Sequence, residues 1–277
     1  MEKVGIIGYG NMGKAIAQRI KEKYAVCVFD KDKNKTSALE EIAISEAADE
    51  LVQQSEIIIL AIKPQDFDVL LNEIKPYVFD KLMITIAAGI TTGYIKSQLG
   101  AKARIVRIMP NLPAQIGQGV SVIFKGQNAV EHNLDLVWQS AYDIFSNLGS
   151  VLPVDKEEMI NAATAISGSG PAFFCHDVIQ ENKKADQLRD TFIEKLTLAA
   201  INLGFDRLEA ELLSARTVDG TIAILIEKHL SCEELIKMVA SQGGTTEAGL
   251  EVLRSGGALK EATEKAFRRA GELEKRS

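Results

Sequence analysis

The sequence predicts an α/β domain followed by an all-α domain, and three observations along its 277 residues carry that expectation. The chain opens on a short apolar run from Val4 that breaks into glycines at Gly8, Gly10 and Gly13 and passes at once into helix-forming residues. Apolar runs of strand length then alternate with helix-length segments as far as Val154, the pattern of a parallel sheet covered on both faces. Beyond Asp155 the β-branched runs disappear, and long periodic segments continue to Ser277. Together these predict an α/β Rossmann-type N-terminal domain over residues 1–155 and an all-α domain over residues 156–277.

Each glycine of the opening motif has a physical task. Gly8 makes the turn, Gly10 lets the backbone approach a pyrophosphate, and Gly13 lets the first helix lie close to the first strand. Amides at the helix start, where Asn11 and Met12 stand, then face the negative charge. A lone GxGxxG also arises in ordinary turns, so the second run matters. Ala25 to Phe29 ends at Asp30, 22 residues after Gly8, where a carboxylate is placed to hold adenosine ribose hydroxyls. Asp30 points to NADH, whereas Lys31 and Lys33 can neutralise a 2′-phosphate and point to NADPH; the expected cofactor is therefore NADPH or NADH.

After the polar segment Lys31 to Glu41 come a short apolar piece, Ile42 to Ile44, a helical stretch from about Ala47 to Gln54, and the near-continuous apolar run Glu56 to Ile62. Ala61-Ile62-Lys63-Pro64-Gln65 closes that strand. Pro64 suits the first turn of the next helix, so the strand end opens over the cofactor crevice; the same tripeptide from Lys63 also reads as a plain solvated turn. Leu82 to Ala87 reads as a strand, Ile90 to Leu99 as a helix, and Ala103 to Met109 as a strand running into Pro110-Asn111-Leu112-Pro113. Two prolines make that loop stiff around Asn111. Val120 to Phe124 and Ser150 to Val154 are two further strands. The helix expected between them, about Ala129 to Leu148, sets Trp138 and Tyr142 on one face as packing aromatics.

In the second domain, Glu157 to Ile166 reads as helical until Ser167-Gly168-Ser169-Gly170-Pro171 interrupts it. Pro171 is placed to begin a long helix to about Asn202, and the small residues before it leave amides free for an anion. Asp206 caps a helix from Arg207 to about His229, and Ser231 with Glu234 forms a capping box for the next. Gln242-Gly243-Gly244-Thr245-Thr246 precedes another helix, and Ser255-Gly256-Gly257 precedes the charged final one. Phe192 to Leu203 is apolar on more than one face, so burial against a second chain is expected: a homodimer, or a larger homo-oligomer.

A formal charge of −6, with basic residues scattered among acidic ones, argues against a nucleic-acid surface. Cys27, Cys175 and Cys232 have no metal-ligand spacing, so no metal is expected and a reducing compartment is the simplest reading. The start on a strand argues against a signal peptide, and no apolar stretch reaches membrane-spanning length. A cytoplasmic protein with a small-molecule substrate, no nucleic acid and no membrane is the expectation.

The whole chain resembles the pyrroline-5-carboxylate reductase family. The resemblance rests on Gly8-Tyr9-Gly10-Asn11-Met12-Gly13, on Ala61 to Gln65, on Val106 to Asn111 with Pro113, on Ala165 to Ala172, and on Val239 to Thr246 with Gly249-Leu250. The last two blocks are specific to that family. It implies hydride transfer from NAD(P)H to the C=N bond of 1-pyrroline-5-carboxylate, giving L-proline, and an all-α dimerisation domain interleaved with a partner's. By resemblance, the dinucleotide is bound by Gly8, Gly10, Asn11, Met12, Gly13, Asp30, Lys31, Ala61, Lys63, Pro64 and Asn111. The substrate carboxylate falls to Ser241, Gly243, Gly244, Thr245 and Thr246, with Thr246 at the ring nitrogen and Thr245 beside it as the catalytic pair. Without the resemblance, Thr245-Thr246 reads as a helix cap.

One departure stands out: the family's proline between the serine and the two glycines is Gln242 here, which frees a torsion and restores an amide. It leaves open a reductase of a related cyclic imine carboxylate, or a dinucleotide-binding regulatory protein without turnover. A β-hydroxyacid dehydrogenase would carry lysine four residues after Gly170, where this chain has Phe174. His132 and His229 are expected on helix surfaces and His176 in a core or on a helix surface; none is assigned as an acid.

Overall fold

The computed structural model describes residues 1–124 and 134–274. These form two compact units: Met1–Ile108 with Ile123–Asn147, and Met109–Val122 with Leu148–Glu274. Neither unit is one continuous stretch of chain.

The first unit alternates strand and helix. In order come β1 (Lys3–Ile7), α1 (Asn11–Ile20), β2 (Ala25–Phe29), β3 (Ala43–Ile44), α2 (Ala48–Gln54), β4 (Ile57–Leu60), α3 (Phe67–Ile74), β5 (Leu82–Thr85), α4 (Thr92–Leu99) and β6 (Arg104–Met109). The strands lie in the order β3-β2-β1-β4-β5-β6, every pair parallel. Ile6 of β1 sits opposite Val28 on one side and Ile59 on the other. All four residues of β4 are buried, as a strand covered on both faces requires. From β1 the chain moves outward to β2 and β3, then crosses back to β4 on β1's other side. The switch point therefore lies at the carboxyl ends of β1 and β4, where such sheets open a crevice.

The helix expected at Ala129 to Leu148 is present as α5 (Leu134–Ser146), and residues 129–133 lie outside the described residues, as does His132. Trp138 and Tyr142 stack with ring centroids 5.2 Å apart, as a four-residue spacing on one face allows.

The second unit takes β7 (Gly119–Phe124, its last two residues in the first unit), β8 (Gly149–Val154), α6 (Met159–Ala163), α7 (Gly170–Glu181), α8 (Ala185–Asn202), α9 (Arg207–Glu227), α10 (Cys232–Val239), α11 (Thr245–Arg254) and α12 (Leu259–Glu272). Two expectations are corrected here. Ser167-Gly168 is no loop: Thr164–Gly168 is a π-helical turn that carries α6 into α7. The long helix from Pro171 to Asn202 is two helices. Asn182 adopts φ +50°, and the amides of Asn182 and Lys183 fold back onto Ile179 and Val178, which ends α7 in a left-handed cap. His229 likewise falls past the end of α9, exposed and at φ +52°, whereas His176 is buried on α7.

Ser231 forms the expected capping box with Glu234, and the expected Asp206 cap proves to be a box as well, with Glu209. Helices α8 and α9 pack together. α8 buries Leu188, Phe192, Leu196, Ala199 and Ala200 but leaves Leu198 60% exposed, and Leu208 on α9 is 76% exposed. Among the described residues no helix is long and apolar enough to cross a membrane.

Candidate active site

The first unit holds a cleft of about 560 Å³ at the switch point, and Gly8, Gly10, Asp30, Lys31, Ala61 and Lys63 line it. Gly8 has φ +102°, and a Cβ there would meet the Ala61 carbonyl oxygen at 2.5 Å. Gly13 is under tighter constraint, because its Cβ would lie 1.9 Å from the Gly8 carbonyl oxygen. Gly10 differs from both: an added Cβ would meet nothing within 4 Å. The backbone at Gly10 thus faces open space at the start of α1. Asn11, Met12 and Gly13 form the first turn of that helix, which has no side-chain cap and no acidic residue in its first turn. Their amides have no intrahelical acceptor, and the helix dipole adds positive potential, so the turn suits a pyrophosphate. Pro64 opens a short 3₁₀ turn directly after β4 and Lys63 caps it.

Asp30 lines that cleft, as expected, and also has partners within the chain. Its side chain is 6% exposed. Oδ2 accepts from the Tyr9 amide at 2.8 Å, Oδ1 accepts from the Asp32 amide at 2.9 Å, and Lys35 Nζ reaches both oxygens at 3.1 Å. Burial pushes this carboxyl upward, but the two amides and the Lys35 ammonium outweigh it and hold the group below the usual aspartate value. Asp30 thus braces the glycine turn from within the cleft, and the half-exposed Lys35 covers its remaining lone pairs. Lys31 pairs with the half-buried Asp66 at 2.7 Å and Lys33 with the exposed Glu46 at 2.5 Å, both lysines being exposed. Lys35 gave no signal in the sequence beyond its charge.

The second unit brings together the other expected group. Ser241 accepts from the Gly244 amide at 2.9 Å, and Gly243 between them has φ +67°. An i to i+3 bond with a positive φ at the third position is the pattern of a type II turn, whose second position favours proline and here holds Gln242. The Gly243 amide donates to the Glu247 carboxylate, and Arg269 Nε donates to the Gly243 carbonyl at 2.9 Å. The amides of Gly243 and Gly244, expected to face a carboxylate, therefore already have acceptors inside the loop. Gly244 is the N-cap of α11, so the amides of Thr245, Thr246 and Glu247 are the ones without intrahelical acceptors. Thr246 is 5% exposed, and its Oγ1 lies 3.0 Å from the Oγ of the fully buried Ser169. Thr245 Oγ1 stands 3.5 Å from the same oxygen.

Asn111 is buried in the second unit, where its Oδ1 accepts from the Val120 amide at 2.9 Å. Its Nδ2 has no partner among the described residues. Phe174, at the position where a β-hydroxyacid dehydrogenase carries lysine, is a core residue packed edge-on against Phe192 with centroids 5.1 Å apart. Among the described residues no cluster of His, Cys, Asp or Glu could hold a metal ion. Glu247 and Arg269 were not singled out by sequence reasoning, and Ser169 entered it only among the small residues before Pro171. A glutamate in the first turn of α11 was the one readable sign among them.

Comparison with known proteins agrees across both units. A family model described as pyrroline-5-carboxylate reductase dimerisation matches residues 189–275, and one described as NADP oxidoreductase, coenzyme F420-dependent, matches residues 3–89. A pyrroline-5-carboxylate reductase of Aquifex aeolicus is 32% identical over 260 residues, covering 92% of this chain and 90% of its own. A solved pyrroline-5-carboxylate reductase structure from Coxiella burnetii superposes with TM-score 0.63 at 29% identity, covering 98% of each chain. One from Plasmodium falciparum with NADP bound gives 0.62 at 27% identity, covering 99% of this chain and 98% of that one.

Proposed function

Because the chain belongs to the pyrroline-5-carboxylate reductase family, and reduces the C=N bond of 1-pyrroline-5-carboxylate with NADPH or NADH, we propose that two groups of its residues carry the work. The first is the cleft of Gly8, Gly10 to Gly13, Lys31, Ala61, Lys63 and Pro64, which holds the dinucleotide, with Asn111 as a further contact. The second is the loop from Ser241 with the start of α11, which holds the substrate. When bound, the reduced nicotinamide supplies the hydride.

The observation that carries this reading is the start of α11, where unpaired helix amides and a nearly buried hydroxyl sit within one turn. A substrate carboxylate accepts from the amides of Thr245, Thr246 and Glu247, aided by the helix dipole. The Ser241 to Gly244 turn fixes where that helix begins. Thr246 Oγ1 then addresses the ring nitrogen. A C=N carbon becomes electrophilic when its nitrogen is protonated, and a weakly basic imine arrives in that form, so the protein needs no strong acid at this point. Its share is to hold and orient the iminium. Incubating the protein with NADPH and 1-pyrroline-5-carboxylate tests the reading: L-proline accumulates as the nicotinamide absorbance falls, and NADPH binding without proline formation overturns it.

Both cofactors are accepted in this reading. Lys35 neutralises Asp30, so a 2′-phosphate meets no bare carboxylate, and Lys31 and Lys33 stand exposed nearby in sequence. An Asp30→Ala variant leaves the Tyr9 amide without its acceptor, at a cost of about 1–3 kcal/mol. NADH and NADPH affinities are expected to fall together, roughly tenfold, in fluorescence titrations. A loss confined to NADH would restore Asp30 to the ribose.

The protein is a homodimer through its helical C-terminal domain, whose dimerisation model matches residues 189–275. Leu198 and Ile201 on α8 and Leu208 on α9 are the apolar groups a partner would cover, each worth roughly 1.5–3 kcal/mol when buried. Changing Leu198 and Ile201 both to Glu places charge in that contact. Light scattering at micromolar protein is expected to give the dimer mass for the parent chain and half of it for the variant; a parent monomer would sink this assembly. Three free cysteines among the described residues fit a working place in the reducing cytoplasm.

A further inference from the structure

At the π-helical turn before α7, Ser169 makes two hydrogen bonds to one carbonyl. The Ser169 amide donates to the Thr164 oxygen at 2.9 Å, and the Ser169 hydroxyl donates to the same oxygen at 3.2 Å. A carbonyl can only accept, so this contact takes the Ser169 proton. The Ser169 oxygen keeps its lone pairs, and 3.0 Å away stands Thr246 Oγ1. When the Ser169 proton is given to that carbonyl, the other hydroxyl supplies the proton between the two. Thr246 then donates inward to Ser169 and turns its lone pairs outward. Thr164, Ser169 and Thr246 are all buried, so water does not compete for this chain of bonds.

We propose that Ser169 is a positioning residue of the reductase: anchored by the π-turn carbonyl of Thr164, it fixes the Thr246 hydroxyl as an acceptor, so that the site selects the protonated iminium over the neutral imine. This rests on Thr246 addressing the ring nitrogen. Thr246 accepts from an N–H⁺ donor and has no proton to offer a bare nitrogen. Ser169 touches neither substrate nor dinucleotide in this role. It acts through the direction of one O–H bond.

The test is a double-variant cycle with a pH profile. Ser169→Ala is expected to lower kcat/KM by roughly fivefold to tenfold. Added to Thr246→Val, it is expected to lower it less than about twofold further, because the residue it acts through is gone. In the parent enzyme kcat/KM falls at alkaline pH with the protonated fraction of the substrate. In Ser169→Ala the Thr246 proton is free to hydrogen-bond the neutral imine, which then binds without being reduced, so the alkaline rise in apparent KM becomes shallower and kcat falls in its place. Ionisable groups on the surrounding elements, among them Glu247 on α11, His176 and Asp177 on α7 and Arg269 on α12, are the same in both proteins, so the change of shape is read on the substrate nitrogen. Losses that multiply in the double variant, or Ser169→Ala profiles of KM and kcat that keep the parent's shape, overturn the proposal while leaving Thr246 in place. Parent-like kinetics in Thr246→Val alone would remove Thr246 from the site, a different failure. NADPH titration of each variant confirms that the first unit is intact.

Discussion

A Gly13→Ala variant is expected to lose dinucleotide binding and thermal stability together. The methyl group would sit 1.9 Å from the Gly8 carbonyl oxygen, a contact that real Cβ atoms do not make, and the neighbour is backbone that cannot rotate away. Helix α1 must therefore shift off β1. Overpacking of this kind costs about 1–3 kcal/mol of stability, and a displacement near 1 Å in a positioning element costs roughly a hundredfold in rate. The contrast is Gly10→Ala, whose added Cβ meets nothing within 4 Å. That variant should melt like the parent yet bind NADPH poorly, since its methyl occupies space the pyrophosphate needs. Melting curves and fluorescence titration separate the two. Gly13→Ala with parent affinity would show that the close approach of helix and strand is dispensable.

The second large effect is at Thr246. Thr246→Val keeps the branched shape in a nearly buried position and removes the hydroxyl alone. A hydrogen bond to a charged group contributes about 1.5–3 kcal/mol, so kcat/KM for 1-pyrroline-5-carboxylate should fall roughly tenfold to a hundredfold or more. NADPH affinity should hold, because the change is confined to the second unit. Thr246→Ser restores the oxygen and should recover most of the loss, which a packing defect would not allow. Unchanged kinetics in the valine variant would return Thr246 to the role of a helix-start residue.

How far these sites could be read from the sequence depended on whether their physics is local. The glycine turn was legible because its spacing is local: Gly13 stands against the Gly8 carbonyl within the same turn, whereas the contact of Gly8 with Ala61 across the sheet had no local sign. The parallel order of strands followed from apolar runs that need cover on both faces. Asp30 was placed correctly at the end of β2, but its bond to the glycine turn was not foreseen. Tyr9, 21 residues earlier, claims one oxygen, and nothing in a linear pattern announces a donor at that distance. Ser169 and Thr246 are 77 residues apart and meet only when α7 and α11 pack. The break at Asn182 was hidden because helix-forming residues flank it, and the left-handed residue is a single asparagine with charged neighbours. Gln242 was marked as a departure, and the turn from Ser241 to Gly244 closes in spite of it, held by Glu247 and Arg269 from outside.

The exposed apolar stripe on α8 and α9 carries one more consequence. A chain with Leu198 and Leu208 open to water has no complete free energy of folding of its own. Part of the driving force arrives only with the second copy, so the folded population obeys mass action. Two chains share one stability, and a defect in either is averaged over both. In a cell carrying a damaged and an intact version of this sequence, mixed pairs would form, and the intact helices would hold the damaged ones in a folded state they could not keep alone.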